Sequence, residues 1–241
     1  METFIVLLTH FTVFSSFIYG VILILRAHRD HSRYYLAAIC LMISALFFRH
    51  LLPDIAEPLQ SLSIKSTIGG SFLAMIFVLY PIEALFSGWL TRCRMFYIAS
   101  PFLLAVIIYV CSLWAGVRYI PLLCADDIMH HLAEFNVWIR IFFFFITLVY
   151  ATFIFLIPHI CLRMLVAPLW LHYYKYATLV ITLLYIWVVV TGSTASSISY
   201  MVYINAYLSW FTYFMLFGKE PRKATFIKED IGKTTPLIKN D

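Results

Sequence analysis

Seven apolar stretches, each long enough to cross a bilayer, are joined by loops whose basic residues gather on one side. A helix of about 20 apolar residues spans the hydrocarbon of a bilayer. In hydrocarbon, every backbone N–H and C=O must find its partner within the protein, which helices achieve locally. The pattern therefore predicts an all-α integral membrane domain, a seven-helix bundle over residues 1–217, followed by a polar and disordered cytoplasmic tail at 218–241. Composition points the same way: 63% of residues are hydrophobic, 12% are charged and mean hydropathy is +0.91. Soluble domains run near half apolar and a quarter charged, and a water-soluble core of this size cannot hide so much apolar surface.

The spans are expected at residues 3–25, 34–52, 66–86, 95–116, 135–157, 176–191 and 198–217. Pro53, Asp54, Glu57 and Pro58 mark an extramembrane turn after the second span. The loop at 117–134 is the longest and is net acidic. A short link of small residues at 192–197 joins the last two spans. The loops after spans one, three and five, with the tail, hold 13 of the 17 lysines and arginines: Arg26, Arg29, Arg33, Arg92, Arg94, Arg163, Lys175, Lys219, Arg222, Lys223, Lys228, Lys233 and Lys239. The positive-inside rule places these in the cytoplasm. The amino terminus is then outside and the carboxyl terminus inside. An odd number of spans requires the same arrangement. The net charge of +5 is scattered over loops and tail, so it reads as topology and not as a nucleic-acid footprint. The first apolar stretch lacks a basic leader and a clear cleavage site, and reads as a membrane helix. Trp89, Trp114, Trp138, Trp170 and Trp210 lie near expected boundaries, as interfacial tryptophans do.

Polar residues inside such spans are the candidates for function. Arg49 and His50 end span two, and Glu134, Asn136 and Arg140 begin span five. Arg140 lies six residues past Glu134, about 9 Å along a helix, and Asn136 and Arg140 share a face. These five residues form a candidate outer pocket for a small polar or anionic ligand. The arginines also fit a plainer reading, snorkelling to the interface or pairing with Glu134. Glu83 follows Pro81, whose ring frees a backbone carbonyl one turn earlier and permits a kink. With Asn205, Pro81 and Glu83 form a candidate relay; pairing of Glu83 with Arg92 or Arg94 is the structural alternative. Asn205 with Ser209, and Thr178 with Thr182, have the four-residue spacing of interhelical hydrogen-bond glue.

Other chemistry finds little support. The five cysteines contain no C-x-x-C pair. Cys111 and Cys124 fall toward the same side and are read as free thiols or as a pair. His28 with His31, and His130 with His131, lack supporting ligands and read as loop histidines. Phosphate-loop, H-E-x-x-H and G-x-S-x-G signatures are absent from the sequence. The expectation is no metal, no cofactor and no catalysis.

Two segments carry a resemblance. Tyr80-Pro81-Ile82-Glu83 followed by Gly88-Trp89-Leu90-Thr91, and Glu134-Phe135-Asn136-Val137-Trp138-Ile139-Arg140, resemble the third- and fifth-helix signatures of the amino-terminal multi-span domain of Bacteroidetes AraC-type transcriptional regulators. The resemblance covers nearly all of residues 1–217 and implies a sensory membrane domain that passes a signal to a cytoplasmic helix-turn-helix module. The sequence departs from that family at Phe86-Ser87, where a basic residue and a proline are expected. It also departs in its tail, which has no apolar periodicity to build a helix-turn-helix. Direct nucleic-acid binding by this chain is therefore not expected. The reading is a sensory or signal-relay domain, truncated or stand-alone, embedded in the lipid bilayer and open to homo-oligomerisation. The rival is a small transporter or channel with a polar path from Arg140 through Asn205 to Glu83.

Overall fold

The computed structural model describes residues 2–27, 31–51, 63–86, 88–119, 122, 125–160 and 168–217. The turn at Pro53–Pro58, the basic residues Arg29 and Arg163, the cysteines Cys124 and Cys161, and the 218–241 tail lie outside the described residues.

The described chain is built of helices: α1 (Glu2–Leu25), α2 (Ser32–Phe48) with a 3-10 turn (Arg49–Leu51), α3 (Ile64–Leu85), α4 (Arg92–Trp114), the short α5 (Ala125–His130), α6 (Phe135–Ile160), α7 (Leu169–Thr191) and α8 (Thr194–Phe217). Six of them, α1, α2, α3, α4, α6 and α7, are long and apolar enough to cross a membrane, and the chain is a multi-pass membrane protein. The 24-residue α8 matches them in length but carries Ser196, Ser197, Ser199, Asn205 and Ser209, and its hydropathy falls outside that group.

Successive long helices alternate in direction. Val13 meets Ser44 across α1 and α2, and Phe72 meets Phe102 across α3 and α4. Tyr150 bonds to Ile98 across α4 and α6, Phe155 meets Tyr176 across α6 and α7, and Tyr173 meets Trp210 across α7 and α8. Arg26, Arg33, Arg92, Arg94 and Lys175 therefore collect at one end, the basic end. Arg49, Lys65, Arg118 and Arg140 lie toward the other, the far end.

Packing is not sequential. Helix α1 lies between α2 and α8, and it runs parallel to α8: Thr9, Thr12, Tyr19 and Arg26 meet Met201, Asn205, Ser209 and Phe217 in order. Gly20 lets α1 approach α2, because a Cβ there would stand 2.8 Å from Leu41 Cγ. Helix α3 is the central element. It packs on α2, α4 and α6, and 72% of its most apolar stretch is buried, against 17% for α4 and for α7.

Several boundaries differ from the sequence expectation. Helix α7 starts at Leu169 and not near 176, so His172 and Lys175 belong to it. Lysine stems lie along apolar surface with the charge held outward, and Lys175 sits 6.0 Å from the Phe155 ring. Helix α8 starts at Thr194, which shrinks the expected 192–197 link to two residues; Gly192, at φ 56°, ends α7 in the left-handed region where glycine carries no Cβ penalty. Helix α4 starts at Arg92, behind Thr91, whose hydroxyl accepts from Arg94 N. Helix α5 falls within the acidic loop. Trp170 lies in the first turn of α7, where its side chain is 2% exposed and meets Tyr80 edge-on, so it faces protein.

Candidate functional site

The far end of the α3–α6 seam gathers the charged candidates. Arg49, in the 3-10 turn after α2, donates from Nη2 to Ser63 Oγ at 3.1 Å. Ser63 is the N-cap residue of α3, yet its hydroxyl makes no cap bond. The arginine has taken that oxygen, so the start of α3 is tied to the end of α2. On α6, Asn136 is 2% and Arg140 4% exposed, so neither snorkels to the surface of the bundle. Glu134 stands immediately before α6, where a carboxylate suits the helix dipole. It accepts from Asn136 Nδ2 at 3.4 Å.

The two groups are level with one another. Ser71 on α3 lies 2.8 Å from the Phe143 carbonyl and 2.9 Å from Thr147 Oγ1 on α6. Both helices run the same way from that point. One turn back, Thr67 is level with Arg140; a further turn back, Ser63 is level with Asn136. Ser63, Thr67 and Ser71 are spaced by four and form a hydroxyl ridge on α3, and all three are buried. Sequence reading missed this ridge, although its spacing is plain in residues 63–71.

Among the candidate residues are two guanidinium groups, Arg49 and Arg140, and one carboxylate, Glu134; Lys65, Arg118 and Asp127 also lie toward this end. Asn136 Oδ1 is buried without a hydrogen-bond partner among the described residues, as are Ser16 Oγ, Trp170 Nε1, Tyr207 OH and Thr212 Oγ1 elsewhere in the bundle; of these, Asn136 is the one that stands among charged side chains. His50 is half-buried beside Phe47, with ring centres 6.4 Å apart. Guanidinium groups hold carboxylate and phosphate oxygens in a planar fork, whereas Asn136 Oδ1 accepts and so calls for an O–H or N–H on the same ligand; a small hydroxylated or partly protonated anion matches both.

The relay candidates do not form one cluster. Pro81 and Glu83 lie at the basic end of α3. Pro81 sits inside the helix, which leaves the Phe77 carbonyl without its usual N–H donor. Tyr174 of α7 supplies the replacement, its hydroxyl donating to Phe77 O at 2.7 Å. Glu83 is buried and accepts from Gly88 N at 3.0 Å, closing the turn out of α3. Gly88 takes the positive φ of 83° that this turn needs. Arg94 turns away, over the Trp89 ring at 4.4 Å and onto the Trp89 carbonyl. Asn205 is on α8 against α1: its Nδ2 donates to Thr12 Oγ1 at 2.6 Å and to Met201 O, and its Oδ1 accepts from Ser15. Ser209 joins the same seam through Tyr19. Thr178 and Thr182, expected as glue between helices, instead bond back to carbonyls of their own helix, Tyr174 O and Thr178 O.

Fold and site define a multi-pass helical membrane protein with a charged, buried seam end. No protein-family model, no curated protein and no solved structure matches the chain.

Proposed function

We propose that this chain is a non-catalytic sensory or signal-relay domain of the bacterial inner membrane, with seven crossing helices and the far end facing outward. Its ligand is a small polar or anionic molecule held by Arg49, His50, Glu134, Asn136 and Arg140. The observation that carries this reading is the burial of Asn136 and Arg140 beside Ser63 and Thr67 at the end of the most deeply packed helix. A buried amide oxygen without a donor costs stability, and a ligand that brings an O–H or N–H to Asn136 Oδ1 and an anionic oxygen to the arginines offsets that cost. Helix α3 links the site to the opposite end, through the Pro81 carbonyl bridge and the Glu83 turn. A ligand preferring one arrangement of α3 on α6 would shift that turn by its difference in affinity for the two arrangements. The resemblance to the membrane domain of AraC-type regulators supports the same role, as does a basic end suited to the cytoplasm.

The test uses Cys93, an exposed thiol beside the Glu83 turn. A fluorophore there, with Cys111, Cys124 and Cys161 replaced by serine, reports movement of the basic end in nanodiscs. Phosphate, sulfate and citrate are titrated in turn. The expected result is a saturable change with at least one of them, lost in Arg49→Ala and Arg140→Ala proteins that insert normally. A response unchanged in both variants removes the site. Flux of the same anions into liposomes by the protein alone would favour a transporter instead.

A further inference from the structure

A second site lies midway along the bundle, away from the charged end. A cavity of about 60 Å³ is bounded by α3, α6, α7 and α8. Its walls are Leu73 and Phe77 of α3, Ala151 and Ile154 of α6, and Ile181 of α7, with threonines between them. Two aromatic pairs brace α6 against α7: Phe144 with Tyr185 at 6.1 Å, and Phe155 with Tyr176 at 6.5 Å. Between the braces the facing residues are small, Thr147 and Ala151 opposite Thr178 and Thr182, and they leave the space unfilled.

The chemistry of the walls selects the occupant. Thr147, Thr178 and Thr182 each donate to a carbonyl of their own helix, so their hydroxyl hydrogens are engaged. No charged residue lines the cavity, which disfavours an ion. One end differs. There the Tyr185 hydroxyl reaches toward Gly70, 3.7 Å from where a Cβ would stand, and the Tyr200 ring lies beside it. That hydroxyl has no hydrogen-bond partner among the described residues. Three of the four helices are membrane-crossing by length and composition, and the cavity lies in their central turns, where the surrounding solvent is hydrocarbon.

We propose that this cavity, whose roughly 60 Å³ holds only a few heavy atoms, receives the polar head and first carbons of a neutral lipophile with a single hydroxyl or carbonyl group, which hydrogen-bonds to Tyr185 while the tail stays in the bilayer between α6 and α7. A bare acyl tail would leave the tyrosine unmatched, and a carboxylate would find no cation.

The test is photolabelling of the full chain in nanodiscs with a diazirine analogue of decanol, mapped by mass spectrometry. Label is expected on the 147–154 and 178–185 segments, displaced by unlabelled decanol and poorly by decane or decanoate. Ala151→Phe, which fills the cavity, should abolish labelling; Thr147→Leu is the milder filler should that protein misfold. Tyr185→Phe should weaken competition by decanol about fivefold, the value of one hydrogen bond, and leave decane unchanged. Labelling that persists in a correctly folded filler variant overturns the site. Equal competition by decane overturns the proposed chemistry in favour of a lipid tail, and stronger competition by decanoate overturns it in favour of an anion.

Discussion

At the α1–α8 seam, Asn205 has a partner for its carbonyl oxygen and for both amide hydrogens. At the far end of the α3–α6 seam, Asn136 keeps a weak bond to Glu134 and a buried Oδ1 with no partner among the described residues. Both are buried asparagines on long helices, and both look alike in sequence. A closed polar network holds helices together, because breaking it leaves groups unsatisfied in a medium without water. An incomplete one costs stability in the free protein and is consistent with a partner from outside. The first seam is adhesive; we assign the second to binding.

That contrast can be broken at several strengths. The largest effect should come from Arg140→Ala, expected to weaken anion binding by about 30-fold or more, as truncation of a buried charged partner does. Titration of the Cys93-labelled protein measures it, and an undiminished affinity would make the α3–α6 end merely structural. Next is Tyr174→Phe, which leaves the Phe77 carbonyl beneath Pro81 without its donor and should cost about 1–3 kcal/mol. Restoring the backbone N–H with Pro81→Ala should recover most of that loss in a double-mutant cycle of unfolding free energies. Zero coupling would refute the carbonyl bridge. Asn205→Leu should cost about 0.5–1.5 kcal/mol, since it removes the α8 partner of Thr12 and Ser15 and leaves them only the carbonyls of their own helix. The smallest effect is expected for Asn136→Leu, within about 0.5 kcal/mol of neutral or a slight gain, because it removes an unsatisfied group instead of creating one.

Much of the fold was legible, because length and apolarity alone mark a membrane helix. The errors fall where polar residues sit on helices. Lys175 and His172 disguised the first turns of α7, and the serines of α8 disguised its start. The charged candidates Arg49 and Arg140 stood out because arginine is costly in an apolar span. The ridge of Ser63, Thr67 and Ser71 did not stand out, since hydroxyls are common in such helices and their importance depends on which neighbour they face. For Ser71 that neighbour is α6, three elements further along the chain, and for Ser63 it is Arg49 after α2; no local pattern in these helices specifies either pairing. Thr178 and Thr182 show the converse. Their spacing suits an interhelical bond, but a threonine hydroxyl can also reach the carbonyl four residues back, and here both do.

Unfolding of the Asn136→Leu and Asn205→Leu proteins, side by side in one lipid composition, tests the distinction between the two seams most directly. The expected outcome is opposite behaviour: a clear loss of stability at Asn205, and none at Asn136 but no remaining anion response. Equal losses at both positions, with the anion response intact in Asn136→Leu, would contradict it.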